Sequence, residues 1–333
     1  MFTEDKSSDN IFFSIITPNY NSGEKILRAI ESLKSNSISY EHIIIDDCST
    51  DDSFSSIEKP RNDNSDLVLL SNPSNVGPGT SRNKGLDVAK GEYIIFLDAD
   101  DYFLDNALDI LHSIIKPEEK IDVLIFKYHM ITNTNGSLNL LNDSGYISSI
   151  KDPIHDFLLD KIISSPWGKC IKADLAKSFR FPNLRVSQDA PYNLDIFMSA
   201  KNVLKLDSVL YIFDKTEANT ITRKIFNKKE FLKFYKSWVF FEKKALQDIH
   251  IDKKLELIAS RKIKFSAIYY MSRLVVSPDD EIDRFIIGSI RKSISKNIIL
   301  ARNELSIKIK LLCFMFYFFP SLTIRLARFF KVF

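Results

Sequence analysis

Tyr93-Ile94-Ile95-Phe96-Leu97-Asp98-Ala99-Asp100-Asp101 decides the reading of this chain. Five apolar or aromatic residues run directly into three carboxylates within four positions. A short apolar run of this kind reads as a buried strand, and Gly91 just upstream reads as the turn that opens it. The strand delivers Asp98, Asp100 and Asp101 to an edge of a sheet, where unpaired carboxylates repel one another. A divalent cation or a polyol relieves that repulsion. Mg²⁺ and Mn²⁺ take oxygen ligands, typically one or two carboxylates plus the phosphates of a substrate. The plainer alternative is a solvated turn followed by a helix N-cap, because Asp also caps helices.

Working outward, the first 130 residues alternate strand and helix signals. Phe12–Thr17 is an apolar strand, followed by Ile26, Ala29, Ile30 and Leu33 at helical spacing. His42–Ile45 is a second strand, ending at Asp46 and Asp47. Leu67–Leu70 is a third, after which Gly77-Pro78-Gly79 introduces a helix carrying Leu86 and Ala89. Tyr93–Leu97 is the fourth and Asp122–Phe126 the fifth. Such alternation predicts βαβ units and a mostly parallel sheet covered on both faces. Ligands of these sheets bind beyond the carboxyl ends of the strands. Asn19 and Tyr20, Asp46 and Asp47, and Asp98 and Asp100 all lie at those ends. No Gly-x-Gly-x-x-Gly follows the first strand and no Gly-Lys-Ser/Thr loop occurs, which removes the common dinucleotide and P-loop classes.

At 333 residues the chain has room for one large domain and a smaller attachment. Its 45% apolar and 27% charged content is that of a globular protein. Cys48, Cys170 and Cys313 fit neither a disulfide framework nor a zinc spacing, and the polar N-terminus reads as no secretory signal, so a reducing cytosol is the expected location. The net charge of +3 hides an asymmetry: residues 1–220 hold 22 Lys and Arg against 33 Asp and Glu, and residues 221–333 hold 24 against 10. The acidic and basic parts therefore face different surroundings.

Thr17-Pro18-Asn19-Tyr20-Asn21, Ile45-Asp46-Asp47-Cys48-Ser49-Thr50-Asp51, Asn75–Gly85 and Phe96–Asp101 resemble, in order and spacing, the signatures of inverting family 2 glycosyltransferases of the GT-A fold, of the bacterial surface-polysaccharide type. The resemblance runs from about residue 12 to about residue 224. It implies an α/β GT-A domain over 11–224, a Rossmann-like, mixed and mostly parallel sheet with helices on both faces. A polar tail over 1–10 precedes it and a helical region over 225–333 follows. By the same resemblance Thr17, Pro18 and Tyr20 pack on a nucleotide base, and Asp47 accepts a hydrogen bond from the base imide, favouring uridine. Arg82 lies near the diphosphate, Asp98 binds ribose or metal, and Asp100 ligates Mn²⁺ or Mg²⁺. The plain readings are a packing aromatic for Tyr20 and a surface helix charge for Arg82.

Ser165–Cys170 and Arg185–Asn193 resemble two further blocks of the family. The second implies a general base at Asp189, with Gln188 standing where the family usually has Glu. An acceptor hydroxyl needs such a base, because its pKa lies far above neutral. An N-cap is the structural alternative for Asp189, with Leu194, Phe197 and Met198 on the following helix. Trp167 is expected as a wall of the acceptor pocket, with a core Trp as the alternative. Tyr211-Ile212-Phe213 reads as a short strand and Asn219–Arg223 as a loop closing over the diphosphate.

The Gln-x-x-Arg-Trp of processive synthases is missing, and no apolar run reaches about twenty residues, so single transfer is expected. Beyond residue 225, Phe231, Phe234, Tyr235 and Trp238, and again Phe265, Ile268 and Tyr269, recur at helical spacing. Leu311–Phe319 is apolar and is flanked by Lys308, Lys310, Arg325, Arg328 and Lys331. A tail over about 305–333 is therefore expected to lie in the headgroup region of an anionic membrane. No nucleic-acid module is recognisable. The expected partners are a UDP-sugar donor, a lipid-linked saccharide acceptor and the inner face of a cell membrane, in O-antigen or capsule assembly. A catalytically silent GT-A assembly partner, and a phosphoacceptor domain using Asp46 and Asp47, are the readings from other classes.

Overall fold

A computed structural model of the chain describes residues 11–63, 65–117, 120–132, 145–216, 228–250, 254–264, 280–297, 303, 305–320 and 323. The expected tail over 1–10, the Asn219–Arg223 loop, the Phe265–Tyr269 stripe, and Arg325, Arg328 and Lys331 lie outside the described residues. The chain divides into two compact units, residues 1–151 with 165–218, and residues 152–164 with 219–333.

In the first unit the chain runs through β1 (Phe13–Asn19), α1 (Lys25–Glu31), β2 (Tyr40–Asp46), α2 (Ser53–Asp63), β3 (Leu67–Ser71), α3 (Pro78–Val88), β4 (Tyr93–Phe96), β5 (Tyr102–Phe103), α4 (Ala107–Ile115), β6 (Val123–Ile131) and β7 (Ile147–Ser149). The short α5 (Pro153–Leu158) belongs to the second unit. The first then resumes with β8 (Lys169–Lys172), α6 (Ala173–Lys177), α7 (Asp189–Ser199) and β9 (Val203–Asp214).

Among the described residues nine strands form one sheet, ordered β3-β2-β1-β4-β8-β6-β9-β5, with β7 also on β9. β1 pairs in parallel with β2 and β4, β2 with β3, and β6 with β9. β8 is antiparallel to both β4 and β6. The sheet is mixed and mostly parallel at its N-terminal side. Ile15 and Ile16, Ile43 to Ile45, and Ile94 to Phe96 are all fully buried. Helices on both faces exclude water from such strands, which is why they read as continuous apolar runs.

The strand order places a topological switch point between β1 and β4. From β1 the chain winds outward to β3 and returns through α3 to β4 on the other side. A crevice opens at the carboxyl ends of two strands whose connections leave in opposite directions. Two strands are longer than their apolar runs suggest: β6 continues to Ile131, and Tyr211–Phe213 is the end of the 12-residue β9. Long pairing with each other stabilises both beyond the reach of local pattern.

The second unit contains α5, α8 (Lys228–Asp248), α9 (Lys254–Lys264), α10 (Asp280–Asn297) and α11 (Ile307–Phe318). Arg261 of α9 is 5% exposed and ties the 152–164 segment to it. Its guanidinium donates to Phe157 O and Ser164 Oγ, sits 3.0 Å from Asp160 and lies 4.4 Å over the Phe157 ring. On α8, Trp238, Phe241 and Ala245 are buried, whereas Tyr235 faces solvent. The aromatic stripe of that helix is therefore only partly core.

Candidate active site

Backbone geometry at the ends of β1, β2 and β4 gathers polar side chains at one edge. Asn19 closes β1 and is 1% exposed; its Nδ2 donates to Asp46 Oδ1 at 2.7 Å. Asp47 N in turn donates to Asn19 O at 2.8 Å. Thr17 is fully buried and bonded to His42 Nε2 at 2.8 Å, so its side chain faces the core. Pro18 is half-buried and Tyr20 is 47% exposed, free to meet a planar ligand.

Asp47 has taken on a local task. Its Oδ1 accepts from Asn72 Nδ2 at 2.8 Å and Val76 N at 3.0 Å, and its Oδ2 from Gly77 N at 2.7 Å. Gly77 has φ +92°, a conformation that L side chains rarely adopt, and it aims its amide at the carboxylate before α3 begins at Pro78. Asp47 is 2% exposed, and the lone pair of Oδ2 that these three donors leave over is open only in formal valence.

Arg82 is 4% exposed and is not a surface helix charge. Its Nη2 lies 2.7 Å from Asp98 Oδ1 and its Nη1 lies 3.1 Å from Asp189 Oδ1. The guanidinium also stacks 5.5 Å over Phe181, which packs on Phe96 and Tyr192. Asp98 and Asp189 keep 29% and 24% of their side chains exposed, so two carboxylates face solvent with the arginine behind them. Burial opposes the charge on Arg82, but Asp98 and Asp189 outweigh it and hold the guanidinium above its ordinary value. Burial pushes Asp189 up to about 6 against the pull of Arg82 and Lys169, with Asp98 adding to the rise.

Asp189 is the first residue of α7, and the cap position falls to Gln188. No cap bond from Gln188 is made; its side chain is 3% exposed and packs toward Gly79 of α3, away from open solvent. Asp189 thus spends its carboxylate on Arg82, across 107 residues of sequence, rather than on capping.

Of the three carboxylates after β4, Asp101 is withdrawn. It is fully buried, accepting from Tyr211 Oη at 2.6 Å and Asp214 N at 2.9 Å, and burial beside Asp98 and Asp100 raises its pKa. Asp100 is half-buried; desolvation and the neighbouring Asp98 raise it to about 6. Its carbonyl is held by Arg28 Nη2 at 2.8 Å, and Arg28 also pairs with Asp214 at 2.7 Å and lies over Tyr102. Arg28 carries no local sequence signal, because its partners are 72 and more residues away.

Trp167 is 4% exposed, stacked on Tyr211 at 4.9 Å and edge-on to Tyr128 at 4.7 Å. It is a core tryptophan, and Tyr128, 37% exposed, is the most exposed of the rings packed on it. Lys169 was hidden in an apolar context: it begins β8 and is fully buried, and burial lowers its pKa to about 7 against the pull of Asp189. A lone lysine between Trp167-Gly168 and Cys170-Ile171 is the signal that marks it.

The site is open, half-lined by carboxylates and backed by buried cations. Among the described residues no three His, Cys, Asp or Glu side chains group as a complete metal-binding set. Asp98 and Asp100 supply two carboxylates, the share a protein gives to Mg²⁺ when substrate phosphates complete the shell. Burial first, and the neighbouring Asp98 second, raise Asp100, and both penalties on its charge are what a cation relieves.

The sequence profile of "Glycosyl transferase family 2" matches residues 14–171. Poly(ribitol-phosphate) beta-glucosyltransferase of Bacillus spizizenii is 30% identical over 201 residues, covering 57% of this chain and 30% of that protein. Poly(ribitol-phosphate) beta-N-acetylglucosaminyltransferase TarS of Staphylococcus aureus is 27% identical over 264 residues, covering 76% and 44%. The chain thus spans less than half the length of these two relatives. The crystal structure of S. aureus TarS 1–349 in complex with UDP superimposes with a TM-score of 0.67 at 22% identity, covering 92% of this chain and 89% of that one. That likeness establishes the fold as GT-A. With its motifs placed in order at the switch point of such a sheet, the segment 14–171 of this chain matches glycosyl transferase family 2.

Proposed function

We propose that this chain is an inverting, divalent-metal-dependent glycosyltransferase that moves one sugar from a UDP-sugar to a hydroxyl of a surface glycan or polyol-phosphate acceptor carried on a lipid. The observation that carries the reading is the single buried Arg82 joining Asp98 to Asp189. One side chain spans the residue assigned to the donor and the residue assigned to the acceptor. Relatives named for poly(ribitol-phosphate) support a hydroxyl-rich anionic polymer as acceptor.

In this reading Tyr20 contacts the base and the remaining lone pair of Asp47 receives the imide N–H. Asp98 and Asp100 would hold Mn²⁺ or Mg²⁺, which when bound neutralises the charge growing on the diphosphate. Asp189, part exposed and ionised above about pH 6, takes the proton of the acceptor hydroxyl. The oxygen then attacks the anomeric carbon from the face opposite the diphosphate, the bond to the diphosphate breaks, and the configuration inverts. Arg82 holds the Asp189 carboxylate in one orientation through this step.

A membrane contact follows from α11. Ile307, Leu311, Phe314 and Phe318 recur three to four residues apart and are 81%, 58%, 56% and 54% exposed, while Cys313 and Phe316 are buried. Lys308 and Lys310 are exposed beside them. Twelve residues of helix are about 18 Å long, too short to cross, and no helix among the described residues is long and apolar enough to do so. The stripe suits insertion into the headgroup region of anionic lipid, at the inner face of the cell membrane.

Screening UDP-sugars, UDP-glucose and UDP-N-acetylglucosamine among them, for cation-dependent hydrolysis tests the reading. Release of UDP from one donor supports it. Absence of release and of binding across the panel, in both cations, assigns the fold to a catalytically silent assembly partner.

A further inference from the structure

We propose that Lys169 is a positioning residue for the general base: its buried ammonium gathers the turn before β8 around itself and sets a positive charge against the Asp189 carboxylate. The inference rests on the reading of Asp189 as that base.

Lys169 Nζ donates to Ser165 O at 2.7 Å and approaches Trp167 O at 3.4 Å. Gly168, at φ +75°, bends the chain so that carbonyls on either side of Pro166 turn toward the same nitrogen. Ser165 O also accepts from Asn193 Nδ2 at 3.2 Å. Asn193 stands four residues after Asp189 on α7, hence on the same helical face. One carbonyl therefore links the lysine, the turn bearing Trp167 and the helix bearing the base.

A fully buried ammonium is costly even where carbonyls accept from it. The charges that face Asp189 are Arg82 from α3, Asp98 from the end of β4 and Lys169 from β8. Arg82 is shared with Asp98, so Lys169 supplies the positive charge that Asp98 does not neutralise by contact. The retention of charge here has a function if it keeps the base ionised and oriented, and burial correspondingly lowers Lys169 to about 7 while Asp189 raises it.

Two arms test this. In the first, Lys169→Met and Lys169→Gln are assayed for UDP-sugar hydrolysis from pH 5 to 9 with Mn²⁺ present. Loss of the facing charge moves the acid limb upward, so that the ratio of turnover at pH 6 to that at pH 8 falls by about 3- to 10-fold. A loss uniform across pH would make Lys169 merely structural and overturn the proposal. So would a Lys169→Gln profile matching the parent, because Gln keeps a donor for Ser165 O without the charge. The second arm needs no lysine variant and no turnover. The carbon-13 titration of the Lys169 side chain is followed in the parent and in Asp189→Asn. Coupling is reciprocal, so the midpoint should fall by about half a unit or more when the carboxylate is removed. Equal midpoints would overturn the proposal. Absence of donor turnover in the parent at every pH would remove the transferase reading and the base-positioning role with it, while the second arm separately reads whether Lys169 and Asp189 are coupled.

Discussion

Arg82 Nη1 lies 3.1 Å from Asp189 Oδ1, while the other terminal nitrogen of the same guanidinium lies 2.7 Å from Asp98. Sheet and helix are thereby joined by one side chain that almost no water reaches. Removing Arg82 strands Asp98 and Asp189, and because each keeps about a quarter of its side chain in solvent the cost lies below the ~3–5 kcal/mol of a fully buried pair. Arg82→Met is accordingly expected to lower unfolding stability by a few kcal/mol in a denaturant titration. Arg82→Lys, a point charge without the fork, should hold one carboxylate and lose the other. A stability of Arg82→Met within 1 kcal/mol of the parent would show that Arg82 does not tie the site together.

Asp189→Asn keeps the size of the side chain and removes the proton acceptor. Turnover should fall by about 10²- to 10⁴-fold with UDP affinity nearly unchanged, read from steady-state kinetics and calorimetry. The pH dependence has a defined sign. The folded-state value, about 6, lies above the ordinary 3.8, so the carboxylate disfavours folding once it ionises. Stability from this group is lost as pH rises from about 4 to about 6 and is flat above. With a quarter of the side chain in solvent the effect is on the order of 1–2 kcal/mol. Asp189→Asn should therefore be at least as stable as the parent at pH 7, with the difference gone near pH 4. A variant markedly less stable at pH 7 but fully active would return Asp189 to a structural role.

Asp100→Ala should abolish transfer while leaving the fold intact, because its side chain is part-exposed and the tie to Arg28 runs through its carbonyl. Chelation of Mn²⁺ and Mg²⁺ should do the same to the parent protein, and re-addition should restore it. Undiminished turnover in excess chelator would exclude a metal role for Asp98 and Asp100.

The stripe on α11 offers substitutions that leave the buried Cys313 and Phe316 in place. Leu311→Asp with Phe314→Asp should release the protein from anionic vesicles in a sedimentation assay. Each apolar side chain contributes about 1.5–3 kcal/mol when buried. High salt should weaken binding of the parent only in part, since the apolar contribution is unscreened. Equal sedimentation of parent and variant would rule out this face as the membrane contact.

Sequence by itself determined the strands and the edge at which they deliver their polar residues. Runs such as Ile43–Ile45 and Tyr93–Phe96 are buried on both faces, and hydrophobic burial is a local, additive quantity that composition reveals. Parallel winding then brings the carboxyl ends of β1, β2 and β4 to one edge, so Asn19, Asp47 and Asp98 were assignable to that edge. Tertiary structure alone decided what each polar group meets. Arg82 reads as an ordinary helix charge until α7 brings Asp189 to it. Asp47 is partly claimed by the amides of Val76 and Gly77, and Trp167 is enclosed by Tyr211 and Tyr128 instead of lining a pocket. Lys169 was invisible as a partner of the base for the same reason. Hydrogen bonds and ion pairs are short-ranged and directional, so their pairing depends on distances between segments a hundred residues apart, which no local periodicity encodes.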